Sequence, residues 1–184
     1  MNRYFVAAVL AGLCVPASAN AQVYLQLQLG LDAASTEAGS HDGFTSGVSV
    51  GYDLPVSQKL YVGIEGSADD STNKKCVFDV ITPGDKLCEK TGRDLGLTAH
   101  IGTKLSETAK LYALAGYSNA VVTENYSDAT GTIGINRTFD GLRVGAGFKK
   151  DLTGQAFVKV EYRYANYERG FSRHNALVAV GANF

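Results

Sequence analysis

The sequence predicts an all-β protein in which eight antiparallel strands, connected up and down, close into a barrel that spans a membrane. Apolar and other residues alternate with a period of two in eight separate stretches, and the connections between those stretches alternate between long and short. The last stretch adds a third observation. There Ala176, Val178, Val180, Ala182 and Phe184 form one face, against Asn175, Leu177, Ala179, Gly181 and Asn183. A terminal Phe on a regular strand has no core beyond it in a soluble domain. In a membrane barrel it zips the last strand onto the first and leaves no open edge in lipid, so Phe184 is the expected barrel-closing residue.

Residues 1–21 carry a basic start at Arg3, an apolar run from Tyr4 to Val15, and the small residues Ala19, Asn20 and Ala21 ahead of Gln22. That is the form of a cleaved secretory signal, with cleavage after Ala19 as the alternative. It leaves residues 22–184 as one barrel domain. Leu13 before Cys14 is larger than the small residue expected before a lipid-modified cysteine. Against 18 Asp and Glu stand 17 Lys and Arg, of which Arg3 goes with the leader, leaving 16. This near-neutral balance gives no electrostatic footing for nucleic acid. No stretch of the mature chain has the roughly 18 consecutive apolar residues of a spanning helix, so any crossing is made by strands.

In chain order, Val23 to Leu31 alternates with Tyr24 to Asp32 over ten residues, a period that an amphipathic helix cannot produce. After the polar stretch 33–42, the second strand sets Phe44, Val48, Val50, Tyr52 and Leu54 against Thr45, Gly47, Ser49, Gly51 and Asp53. A short turn at 55–58 leads to the third, with Val62 and Ile64 opposite Tyr61, Glu65 and Asp69. The long polar insertion 70–92 holds Cys76 and Cys88. The fourth strand sets Leu95, Leu97, Ala99 and Ile101 against Asp94, Thr98, His100 and Lys104. A turn at 106–109 precedes the fifth, Leu111 to Val121, in which both faces are fairly apolar. A third polar loop, 123–137, leads to the sixth, with Leu142, Val144, Ala146 and Phe148 opposite Arg143 and Lys149. After the turn 151–154, the seventh sets Val158, Val160, Tyr162 and Tyr164 against Lys159, Glu161 and Arg163. Residues 166–172 lead into the last strand.

An eight-stranded soluble barrel of lipocalin type would show the same periodicity with its apolar face inward. The polar and glycine-rich faces of the second, fourth and sixth strands favour lipid outside. So do Tyr52, Tyr117, Phe148, Tyr162, Tyr164 and Phe184 near strand ends, placed as interfacial girdles. The phrases GLRVGAGFKKDL, AFVKVEYRYANY and HNALVAVGANF, with the terminal Phe, resemble the small OmpA/OmpX-like outer-membrane β-barrel family, which includes opacity-type surface proteins. The resemblance covers the mature chain and implies insertion by the barrel-assembly machinery. With the sequence ending at Phe184, the periplasmic peptidoglycan-binding domain of the two-domain members is not expected.

In this arrangement the short turns and both termini are periplasmic, and the long loops are extracellular. The lumen receives charges that must pair, and a mixed-sign network around Glu65, Arg143, Glu161 and Arg163 is expected to plug it. Cys76 and Cys88 are expected to form a disulfide in an oxidising compartment; metal binding is a weak rival with no His or third Cys nearby. Asp69, Asp70, Asp79, Asp85 and Glu89 are candidates to meet divalent ions that bridge lipopolysaccharide. The expected function is non-enzymatic, structural or adhesin-like, acting as a monomer without cofactor. Its partners are outer-membrane lipid, lipopolysaccharide and an extracellular ligand or host surface. The alternatives are a narrow low-conductance channel and, more remotely, a lipid A modifying enzyme using Ser172, His174 and Glu168. Folded protein is expected to migrate differently in detergent gels before and after boiling; identical mobility with release into the periplasmic fraction would contradict the membrane assignment.

Overall fold

A computed structural model describes residues 22–36 and 39–184, and the expected leader falls outside the described residues. The strands are β1 (Gln22–Thr36), β2 (Gly39–Pro55), β3 (Leu60–Ser71), β4 (Lys74–Phe78), β5 (Lys86–Lys104), β6 (Ala109–Asp128), β7 (Gly131–Asp151), β8 (Ala156–Tyr167) and β9 (Ser172–Asn183). All pairings are antiparallel. β1 pairs with both β2 and β9, and β3 pairs with both β2 and β5, so eight strands form a closed ring. At the closure Tyr24 faces Asn183, and the amide of Phe184 donates to the carbonyl of Val23 at 2.8 Å.

The ninth segment is β4, and it continues β3. Both lie antiparallel to β5, with Asp69 facing Asp94 and Lys74 facing Lys90. Between those pairs β3–β4 holds one residue more than β5. The break at 72–73 turns the Asn73 amide inward, where it donates to the backbone carbonyl and carboxylate of Asp32. One expected strand is thus divided, and the ring keeps its eight.

The three polar stretches expected as loops are largely strand. The β1–β2 ladder runs up to Thr36 facing Gly39, β6–β7 runs up to Asp128 facing Gly131, and β4–β5 occupies much of the insertion. Ladder hydrogen bonds continue there without an apolar face, because only the part of a strand that meets lipid must be apolar on one side. Residues 56–59, 105–108 and 152–155 make short connections at one end of the barrel, the turn end. The longer hairpins project from the other, the hairpin end.

Which face meets lipid is decided by neighbours in the chain. Leu142 is 73% exposed and Arg143 is 1% exposed. Along β1, Leu25, Leu27, Leu29 and Leu31 point outward while Tyr24, Gln26, Gln28 and Asp32 are buried. The register carries this around the wall, with Leu27 facing Val48 on one side and Val180 on the other. An apolar outside around a polar inside excludes the lipocalin-like arrangement.

The aromatic residues divide between the two faces. Tyr117, Phe148, Tyr162 and Phe184 stand exposed on the outer wall, whereas Tyr24, Tyr61, Tyr112, Phe157 and Tyr167 fill the inside. The inward glycines make room for them: a Cβ on Gly51 would overlap the Tyr24 ring, and one on Gly147 would overlap the Tyr112 ring. Gly147→Val should displace Tyr112 from the lumen and destabilise the barrel by about 1–3 kcal/mol, the usual cost of overpacking. Urea unfolding in detergent, compared with the outward substitution Ala146→Val, checks it.

Candidate functional site

A barrel of this width has room for side chains rather than a wide column of water. Each charge turned inward therefore needs a partner, since an uncompensated buried charge costs several kcal/mol. Alternation along eight strands places these residues in three layers along the axis.

Nearest the turn end, Asp53 Oδ1 lies 2.7 Å from His100 Nε2, and its Oδ2 lies 3.5 Å from Lys149 Nζ. Lys110 stands between Asp53 at 4.0 Å and Asp151 at 3.7 Å. The Lys149 ammonium also sits 4.1 Å above the centre of the Phe157 ring, a favourable position over its π face.

In the middle layer Arg163, from β8, reaches across the lumen to Glu65 at 3.0 Å and Asp69 at 3.4 Å, and also binds Glu161. Lys159 Nζ donates to Glu65 at 2.6 Å. The remaining acceptors are filled locally. The Tyr24 hydroxyl donates to Glu65, that of Tyr112 to Glu161, and the Gln28 amide to Asp69. A gap of about 10 Å³ among Tyr24, Asp53, Tyr61, His100 and Lys149 is the size of one water molecule.

Toward the hairpin end, Arg143 donates to Asp94 at 2.6 Å, and Arg173 bridges Asp94 at 3.2 Å and Asp32 at 2.7 Å. Ser118 and Tyr167 also donate to Asp94, and Ser71 and Asn175 to Asp32. Above this layer Ala34, Ala120, Val122, Ala165, Tyr167 and Phe171 form an apolar cap. The Tyr167 and Phe171 rings are stacked 4.7 Å apart.

Of the four residues expected to form one network, Glu65, Glu161 and Arg163 meet and Arg143 does not. Register explains the separation: Arg163 faces Gly145, so Arg143 stands two residues farther along β7 and falls in the layer of Asp94. Lys104, expected in the lumen, is exposed at the end of β5. Asp32, Asp53, Lys110 and Arg173 belong to the layers and were not singled out from the sequence, and Asp69, considered there only for divalent ions, belongs to them too. All but Lys110 are in phase with a polar face, as Arg173 is with Asn175, so the alternation carried the signal there; Lys110 is in phase with Tyr112 and Leu114, on the strand with two fairly apolar faces.

At the hairpin end, Cys76 and Cys88 face each other across β4–β5 and form a disulfide. The turn beyond is organised by Asp85, which accepts the backbone amides of Val80, Ile81 and Thr82 and the Tyr126 hydroxyl. Desolvation opposes ionisation of this carboxyl, yet those donors hold it below the usual carboxylate range. Among the described residues no group of three or more His, Cys, Asp or Glu is placed to hold a metal ion. Of the acids considered for divalent ions, Asp69 faces the lumen and Asp85 is engaged by the backbone, so the five do not form one cluster.

His174 lies on the outer wall, its ring tilted by 41° against that of Tyr164 at 4.7 Å, with Nδ1 2.6 Å from the Tyr162 hydroxyl. No hydrogen bond joins it to Ser172 or Glu168 among the described residues. The base, nucleophile and orienting group of an acyl-transfer site are therefore not assembled.

A closed antiparallel sheet with apolar residues outside and paired charges inside defines a transmembrane β-barrel. The chain belongs to the family described as outer membrane protein beta-barrel domain, whose model matches residues 5–184. It is 28% identical over 143 residues to the 25 kDa outer-membrane immunogenic protein of Brucella ovis, covering 78% of this chain and 65% of that protein's length. Among solved structures it is similar in fold to Ail, the attachment invasion locus protein of Yersinia pestis, crystallised in complex with the heparin analogue sucrose octasulfate. That match has a TM-score of 0.63 at 13% identity and covers 90% of this chain and 99% of Ail. Neisserial surface protein A matches with a TM-score of 0.58 at 18% identity, covering 88% of this chain and 97% of the other. These place the protein in the outer membrane of a Gram-negative cell.

Arg163→Met should cost about 3–5 kcal/mol of stability, because it leaves Asp69 and Glu161 without their guanidinium inside the barrel. Urea unfolding of the refolded protein measures this, and a loss under 1 kcal/mol would mean that the middle layer does not hold the barrel together.

Proposed function

We propose that this protein is a non-enzymatic, monomeric surface barrel that acts through its hairpin end, with the hairpins outside the cell and the turn end in the periplasm. The observation that carries the reading is the β4–β5 extension. It projects beyond the ring, is cross-linked by Cys76–Cys88, and presents exposed Val77, Phe78, Val80 and Ile81 to its surroundings. Ile81 is 74% exposed. Contiguous exposed apolar side chains on a rigid support suit contact with another macromolecule or surface. The disulfide adds to that support, typically by about 2–4 kcal/mol through restriction of the unfolded chain.

The asymmetry of short turns and long hairpins supports the orientation, as it does in bacterial barrels generally. The Brucella relative is described as immunogenic, which accords with parts exposed at the surface. The lumen supports a scaffold rather than a pore, since three charge layers and an apolar cap stand in series across it.

A two-part experiment tests this. Displayed on a non-adherent Gram-negative strain, the protein should raise adhesion to a cultured mammalian cell monolayer, and replacing 77–83 with a Gly-Ser turn should return adhesion to background. Refolded protein in a planar bilayer should give no discrete current steps. Undiminished adhesion without the hairpin tip would overturn the surface role. Steps that change with Glu65→Gln would establish the channel instead.

A further inference from the structure

The outward face of β4–β5 carries an unbalanced set of cations at the margin of the apolar wall. Three cross-strand pairs share that face: Lys74 with Lys90, Cys76 with Cys88, and Phe78 with Lys86. Like charges directly opposite each other in an antiparallel ladder are destabilising. Lys74 and Lys90 are nonetheless opposed, both are exposed, and neither has an ion-pair partner among the described residues. The disulfide in the adjacent pair holds the two strands together at this point. Lys86 is set apart by its ammonium, which lies 5.2 Å over the Phe78 ring.

A bulge brings a third cation to the same region. Between Thr91 and Asp94 the register of β5 against β6 shifts by one residue, so both of those side chains are buried and Arg93 between them is exposed. Arg93 likewise has no ion-pair partner among the described residues. Asp70 is an exposed acid on this wall, and its Oδ1 accepts the Ser71 amide at 3.0 Å. Below Arg93 the wall turns apolar, with Leu95 and Leu97 on β5 beside Ala68 and Gly66 on β3. A strand tilted about 40° climbs about 2.5 Å per residue, which sets Arg93 about 10 Å and Lys90 about 18 Å above Leu97. These cations therefore stand directly above the apolar wall, on the side of the barrel where headgroups meet it in the proposed orientation.

We propose that Lys74, Lys90 and Arg93 form a lateral binding site for the phosphate groups of lipid A in the outer leaflet. The proposal rests on the orientation given under Proposed function. A phosphate seated between the two ammonium groups removes their repulsion, and the planar guanidinium of Arg93 can bind a second phosphate oxygen pair in a fork. The site favours a lipid over a soluble anion because it lies on the side of the barrel, continuous with the lipid-facing wall, rather than at the hairpin tip. Gly66, which has no side chain and open space where a Cβ would stand, and the methyl group of Ala68 leave room beneath it for an acyl chain.

The test uses refolded protein in detergent micelles, titrated with bisphosphorylated lipid A and with its dephosphorylated form, with bound lipid read by native mass spectrometry. The wild type should prefer the phosphorylated form, and K74Q/K90Q/R93Q should lose at least tenfold in affinity for it while keeping its gel shift on boiling. Equal affinity in variant and wild type, or no preference for phosphate, would overturn the site. Tighter binding of soluble heparin with the same three-residue dependence would assign the patch to a free polyanion and overturn the lipid source. Micelle binding does not depend on orientation, so Ile81→Cys and an impermeant maleimide on intact cells test that separately. Labelling supports the outer-leaflet assignment. Absence of labelling, with micelle affinity intact, would overturn the orientation and with it lipid A as the ligand.

Discussion

Hydrogen bonding of the backbone inside lipid is the constraint on which the rest of this structure depends. An unpaired amide or carbonyl in a hydrocarbon layer costs several kcal/mol, so a sheet can cross only if its first and last strands meet. The ladder of β1 with β9, from Tyr24 facing Asn183 to Ser35 facing Ser172, meets that requirement. Closure then fixes the two faces. One looks only at lipid, the other only at the axis, and a strand with a period of two serves both at once.

The interior follows from closure. Eight strands leave space for side chains but not for a free column of water, so the polar residues must satisfy one another. They do so across the lumen as well as along a strand: Arg163 on β8 meets Glu161 on its own strand and Glu65 and Asp69 on β3, and Arg173 on β9 meets Asp94 on β5. These contacts tie opposite walls together. Tyr24, Tyr112 and Tyr167 add hydroxyl donors to carboxylates, and the inward glycines beside Tyr24 and Tyr112 leave space for the rings. The lumen is thus the polar core of the molecule.

Beyond the apolar band the same strands continue under different rules. The β6–β7 ladder reaches Asp128 and Gly131 with no sustained apolar face. There the disulfide and the Asp85-centred turn supply order that burial does not. The division of β3 from β4, with the bulge in β5 beside it, lies at the transition and re-aims the side chains on the outer surface.

The sequence by itself determined the strand count, the closed topology, the lipid-facing side of every strand but the fifth and the pairing of the two cysteines. Those properties are written locally, in the period of apolar residues, the spacing of turns, the polar and glycine-rich faces and the two cysteines of one polar stretch. It did not determine how far the hairpins extend, because outside lipid a ladder needs no apolar signature. Nor did it determine which charges meet. Glu65 and Arg163 are 98 residues apart in the chain, and Arg143 and Arg163 lie on neighbouring strands yet in different layers. Such partnerships depend on the stagger between strands and on which side chains reach across the lumen. Both are set only when the sheet closes.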